Sequence, residues 1–150
     1  MKRKLFLNII LLLVVSLFNS GCAVNRATAT LDPNANFVDF KSIHVTKFAP
    51  DERGINILIA NKFKEMGYQV TSGVDTPDGV DVVVTYKDKW MWDITLYMLE
   101  LTVNIRDPQT NFPMATGNSY HTSLTRKSPE EMVNEVINNI FKQIPSNVQK

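Results

Sequence analysis

The chain has 150 residues, 44% hydrophobic and 21% charged, with a formal net charge of +1. That is enough for one domain with a single core, and the mixed charge argues against a nucleic-acid surface. One cysteine and two histidines leave no disulfide framework and no His/Cys pair at zinc-ligand spacing.

The N-terminus carries the first organised segment. Met1-Lys2-Arg3-Lys4 is followed by a mostly apolar run from Leu5 to Phe18 and then by Asn19-Ser20-Gly21-Cys22. A cationic start, a short apolar stretch and small residues before a cysteine resemble a bacterial lipoprotein signal peptide. Residues 1–21 would be removed and Cys22 lipidated. Asn19 stands where a leucine is usual, with Leu17 and Phe18 just upstream, which lowers the expected efficiency of cleavage. Two other readings are open. One is an ordinary secretory signal with an incidental cysteine. The other is an uncleaved anchor, although the apolar run falls short of the roughly 20 residues that span a bilayer. Ala23 follows the cysteine; by resemblance to enteric lipoproteins, the absence of Asp there favours the outer membrane, facing the periplasm. A cysteine carrying more than one acyl chain is a stable anchor. Removal of residues 1–21 takes Lys2, Arg3 and Lys4 with it and leaves thirteen Lys/Arg against fifteen Asp/Glu, a net charge of −2. Cys22 would then be spent on lipid.

Residues 22–36 are small, polar and aperiodic and are expected to form a flexible tether, with a root-mean-square span of about 20 Å. A single domain is expected over 37–150. Phe37, Val38 and Phe40 lead into a first strand marked by Ile43 and Val45 and closed by Ala49-Pro50. Asp51 can cap a helix running to about Met66. Its apolar positions are Ile55, Leu58, Ile59, Phe63 and Met66; Asn56, Lys62, Lys64 and Glu65 take the solvent side. Gly67 fits the left-handed position after the helix. A second strand follows over Tyr68 to Ser72, then a loop at Asp75-Thr76-Pro77-Asp78-Gly79.

Asp81 to Lys89 alternates, with Val82, Val84 and Tyr86 on one face. Tyr97 to Arg106 alternates more clearly: Tyr97, Leu99, Leu101, Val103 and Ile105 point one way, and Met98, Glu100, Thr102, Asn104 and Arg106 the other. After a turn at Asp107 to Asn111, a fifth strand is expected over Pro113 to Ser123. Its small and hydroxylated residues mark it as an edge or as a strand under a close neighbour. Ser128-Pro129-Glu130-Glu131 has the form of a capping box with proline in the first helical position. Met132, Val133, Val136, Ile137, Ile140, Phe141 and Ile144 form the stripe of the last helix, which Pro145 stops. The expected fold is α+β, in the order β-α-β-β-β-β-α: a mostly antiparallel five-stranded sheet with both amphipathic helices on one face.

Candidate chemistry is sparse. His121 lies among Ser119, Thr122 and Ser123, but no orienting carboxylate is identifiable and no nucleophile elbow is present; a solvated strand histidine is expected. Asp75, Asp78 and Asp81 lack the closing acid of a calcium loop, and no glycine-rich phosphate loop exists. No cofactor is implied. Trp90, Met91 and Trp92 stand out where the third strand should turn into the fourth. An aromatic hairpin tip could stack on a sugar, enter a membrane interface or seat in a partner protein. Alternatively, Trp90 and Trp92 continue the Val82, Val84, Tyr86 face and cap the core.

Asp39-Phe40-Lys41-Ser42-Ile43, Met66-Gly67-Tyr68 and Val80-Asp81-Val82-Val83-Val84-Thr85-Tyr86 resemble, in that order, a family of small bacterial envelope lipoproteins of unknown function. Trp90-Met91-Trp92-Asp93 with Tyr97 is similar to a subgroup of them. The resemblance implies an α+β envelope domain and supplies no catalytic residue. The leading expectation is a non-enzymatic, lipid-anchored protein that binds another envelope component, a protein or peptidoglycan. The rival is a periplasmic hydrolase or glycan-binding protein using Asp81, Asp93 or His121 beneath the tryptophan tip.

Overall fold

A computed structural model describes residues 24–35, 37 and 40–144. The signal segment, Cys22, Ala23, Asn36, Val38, Asp39 and Pro145 lie outside the described residues. Six strands form one open, mixed sheet: β1 (Asn25–Leu31), β2 (Ser42–Thr46), β3 (Gln69–Gly73), β4 (Val82–Asp93), β5 (Thr95–Arg106) and β6 (Pro113–His121). Two helices, α1 (Ile55–Glu65) and α2 (Pro129–Gln143), pack on one face and against each other. The spatial order is β1-β6-β5-β4-β2-β3.

Two features correct the expected five-stranded, mostly antiparallel sheet. The segment expected as a flexible tether supplies β1, which pairs antiparallel with β6 from Asn25↔His121 to Leu31↔Ala115. Its side chains, Arg26, Thr28 and Thr30 against Ala27, Ala29 and Leu31, alternate too weakly to announce a strand. The exposed edge of β6 supplies the reason to order. Second, β2 runs parallel to both β3 and β4. The α1 crossover returns the chain in the same direction, as parallel neighbours require. Strands β4, β5 and β6 form the expected meander.

The core lies between the sheet and the helices. Ile43, Val45, Val82, Val84, Leu101, Val103 and Ile105 face Ile55, Ile59 and Phe63 of α1 and Met132, Val133, Val136, Ile137 and Ile140 of α2. The small residues of β6 have the second of their two expected meanings. Gly117 sits under α2, and a Cβ there would stand 2.7 Å from Val136 Cγ1 and 2.9 Å from Ile140 Cδ1. The capping box of α2 forms as expected: Ser128 Oγ accepts from Glu131 N and the Glu131 carboxylate accepts from Ser128 N. The opposite face of the sheet is a polar ladder. Thr116 donates to Asn104, Asn118 to Glu100 and Thr102, and Arg106 Nε to Thr85.

Asp51 caps α1 from outside it. The helix begins after Gly54, a left-handed residue (φ 72°). The buried Asp51 carboxylate accepts from Arg53 N (2.8 Å), Asn56 N (3.2 Å) and the Tyr86 hydroxyl (2.6 Å). Burial alone would raise this carboxyl; the hydrogen bonds from Tyr86 and the backbone outweigh it and lower it. Burial and the adjacent Asp51 push the Tyr86 phenol well above the usual tyrosine range. Asn56, expected on the solvent side, is buried and donates to Ser72 Oγ at 2.9 Å, which ties α1 to β3. Asp51→Ala removes a cap and strands the Tyr86 hydroxyl, so a loss of about 2–4 kcal/mol is expected. Urea denaturation of Asp51→Ala beside Tyr86→Phe checks it, and the double variant should lose less than the sum of the two.

Candidate functional site

Three groups of residues were singled out in the sequence, and the fold treats them differently. Asp81 lies just before β4 and is spent on structure. Its Oδ2 accepts from Lys41 N (2.9 Å), Ser42 N (2.8 Å) and Ser42 Oγ (2.8 Å), which staples the start of β2 to β4. These bonds hold the Asp81 carboxyl below its usual range. Asp93 is at the other end of β4, with its carboxylate 4.0 Å from Arg126. A twelve-residue strand separates the two by about 40 Å at about 3.3 Å per residue. Asp81 therefore does not join Asp93 and His121 in one constellation. Asp75 and Asp78 remain on an exposed loop. Among the described residues, no group of three His, Cys, Asp or Glu side chains could hold a metal ion.

His121 is not the solvated strand histidine expected. It is fully buried, as is Ser119, and α2 brings the carboxylate that the sequence did not reveal. Glu135 Oε2 accepts from Ser119 Oγ at 2.6 Å and from His121 Nε2 at 2.7 Å, while Oε1 takes the Lys127 ammonium. Because a carboxylate only accepts, His121 carries its proton on Nε2. Its Nδ1 is buried with no hydrogen-bond partner among the described residues. Burial alone would raise the Glu135 carboxyl; the bonds from His121, Lys127 and Ser119 overcome that and hold it at about 2. The arrangement holds a serine, a histidine and a carboxylate but is not wired as a nucleophilic triad. Ser119 donates to the acid rather than to the imidazole, so the histidine is not placed to take its proton, and neither Ser119 nor His121 meets solvent. Its chemistry is to pin β6 to α2. The spacing Ser119, His121 on alternate positions of a strand was visible in the sequence; Glu135, on another element, was not.

The tryptophan segment is where the surface is unusual. β4 runs through Trp90, Met91 and Trp92, and the turn falls later, at Ile94. A register shift after Lys89 pairs Trp90 with Met98 rather than with Leu99. This brings Met98 into the core, where it is fully buried, against the alternation expected for β5. The two tryptophans then part company. Trp90 packs half-buried on the core edge, its Nε1 donating to Asp88 Oδ2 at 2.5 Å and its ring under the Arg53 guanidinium at 4.5 Å. Trp92 is 72% exposed, Met91 46%, and Ile94 at the turn 86%. Ile94 has φ 60°, a conformation that a β-branched residue rarely adopts.

Solved structures share this fold. The PelC dodecamer from Paraburkholderia phytofirmans is similar at a TM-score of 0.57 and 13% identity, over 78% of this chain and 98% of that one. A DUF4136 family protein from Bacteroides thetaiotaomicron is similar at 0.55 and 11%, over 84% and 98%. At these identities the likeness is one of fold. No family model matches the sequence, and no curated protein is similar to it in sequence. No helix among the described residues is long and apolar enough to cross a membrane.

Proposed function

We propose that this chain is a non-enzymatic, lipid-anchored protein of the bacterial cell envelope, held at Cys22 and acting by binding another envelope component. The observation that carries the reading is the junction between the lipoprotein-like segment and the domain. Asn25 opens an edge strand three residues after Cys22, so a lipid on Cys22 would hold the folded domain against the bilayer surface. The non-enzymatic part is supported by the wiring of Ser119, His121 and Glu135, in which the serine donates to the carboxylate and not to the imidazole and both Ser119 and His121 are buried away from a substrate. Ala23 favours the outer membrane, facing the periplasm. The surface offered to an envelope component is the Met91, Trp92, Ile94 end of the β4–β5 hairpin.

Cys22→Ser tests the anchor. In cells fed an alkyne-bearing palmitate, the wild-type chain takes the label and sediments with membranes, and the variant does neither. An unlabelled wild-type chain would overturn the reading. Purified protein should be inert on peptidoglycan, ester and phosphate substrates. Turnover that His121→Ala abolished would bring back the hydrolase.

A further inference from the structure

The exposed apolar side chains are not scattered. Of nine large hydrophobic residues exposed among the described residues, six lie at one end of the sheet: Val24, Met91, Trp92, Ile94, Leu96 and Leu124. They come from three separate parts of the chain, and the register explains why they meet. β6 ends at His121, opposite Asn25 of β1, and its neighbour Tyr120 pairs with Glu100 of β5. The part of the β4–β5 hairpin from Trp90 to Leu99 therefore overhangs the rest of the sheet, on the side where β1 begins.

Hydrogen bonds hold this end together. The Val24 carbonyl accepts from Thr122 N at 3.2 Å and from Thr125 Oγ1 at 2.8 Å, which docks the residue ahead of β1 on the short 3-10 turn Ser123–Thr125. The next residue, Arg126, reaches the hairpin. Its Nη1 donates to Thr95 Oγ1 at 2.6 Å, its guanidinium lies 4.9 Å from the Tyr97 ring centroid, and Nη2 stands 4.0 Å from Asp93. Hydrogen bonds thus link Val24 to the Ser123–Thr125 turn and, through Arg126, to the hairpin tip.

Cys22 precedes Val24 by two residues, so its backbone can lie no further than about 7 Å away. β1 is two strand spacings from β5, or about 10 Å. A lipid on Cys22 would leave the protein at this same end, with Val24 about 10 Å across the sheet from β5 and about 13 Å short of Ile94 along it.

We infer that the envelope component met by this end is the lipid bilayer itself: Trp92, Ile94 and Leu96 enter its interfacial layer beside the acyl chains of Cys22. The inference rests on the anchored reading and names what the hairpin binds. Tryptophan favours that layer because its ring is apolar and its N–H is polar. Lys89, 66% exposed and 3.8 Å from Glu100, and Arg126, 4.0 Å from Asp93, are the cations beside the tip; each offsets a neighbouring acid and has a long stem that lets its charge reach lipid headgroups. The tip extends beyond the last pairs that β6 makes with β5 and β1. Its turn places isoleucine where glycine, asparagine or aspartate would relieve the backbone. The other end of β1 and β6 carries Asp32, Pro33 and Pro113 instead.

The test uses the full chain, lipidated in a bacterial host and reconstituted into phosphatidylethanolamine/phosphatidylglycerol vesicles. Trp90→Phe leaves Trp92 as the sole tryptophan. Lipids brominated high on the acyl chain are expected to quench Trp92 at least about two-fold, as a ring in the interfacial layer requires, while aqueous iodide quenches it weakly. Ile94→Asp should reverse both results without changing far-ultraviolet circular dichroism. Strong iodide quenching with no effect of bromolipid would overturn the proposal. So would a discrete protein adduct from a photo-crosslinker placed at Trp92 in cells. Mass spectrometry of the same preparation reports separately whether Cys22 is acylated, so a failed anchor and a failed wedge give different results.

Discussion

Gly117→Val is expected to lower the stability of the domain by about 3 kcal/mol or more, at the upper end of what overpacking costs. Gly117 lies mid-strand, paired with Val103 on one side and Ala29 on the other. Even a single methyl there would overlap Val136 Cγ1 at 2.7 Å and both Ile140 Cγ1 and Cδ1 at 2.9 Å. Those two side chains are fully buried on α2, so they cannot swing into solvent. The helix must lift, and lifting it opens the core along β1, β6 and β5. In a close-packed interior that response is costly because contacts are lost on all sides together. A fall in melting temperature of about 10 °C or more is expected for a domain of this size. Thr28→Val, on the exposed face of β1, should leave the midpoint nearly unchanged. An unchanged midpoint for Gly117→Val would refute the close approach of α2 to β6.

Glu135→Leu has the second large effect, and its pH dependence distinguishes it from a packing defect. The substitution leaves Ser119 and His121 buried without their acceptor and frees Lys127. Glu135 is itself only partly buried, but the two buried donors it leaves unpaired cost about 2–5 kcal/mol together. Glu135→Gln keeps the shape and should lose less. The Glu135 carboxyl sits at about 2 in the folded protein against an ordinary 4.5. Its folded value is depressed, so its contribution is complete above about pH 4.5, declines as pH falls and is gone near pH 2. Wild-type stability should therefore drop across that window more steeply than that of Glu135→Gln, and the two curves should converge at its acid end. Parallel curves from pH 7 to 2 would show that the carboxylate contributes no charge-dependent stability.

Local rules carried the sequence reading a long way. The capping box at Ser128, the stripe from Met132 to Ile140 and the strands around Val84 and Val103 depend on residues a few positions apart, and all formed where expected. Hydrophobic periodicity likewise separated the sheet's apolar face from the polar ladder of Thr102, Asn104 and Arg106. What failed depended on partners far along the chain. β1 has little apolar alternation of its own and orders because β6 has an open edge roughly ninety residues away. The inward turn of Met98 comes from a register shift that no single strand encodes. His121 read as a surface residue because the acid that partners it stands on the following helix. Asn56 read as a solvent residue because Ser72 lies across a crossover.

The sequence by itself determined an α+β domain with two helices on one sheet face and the prominence of Trp90, Met91 and Trp92, and it is the sole ground for expecting a lipoprotein leader ending at Cys22. Only the tertiary structure decided which of those residues meet solvent. It buried half of Trp90 against the core and beneath Arg53, left Trp92 and Ile94 outside, and set them at the end of the sheet where the chain enters from Cys22. The physical reason is one of range. Capping and amphipathic periodicity are settled within a few turns of chain, whereas exposure, strand register and the meeting of three distant segments follow from how whole elements pack.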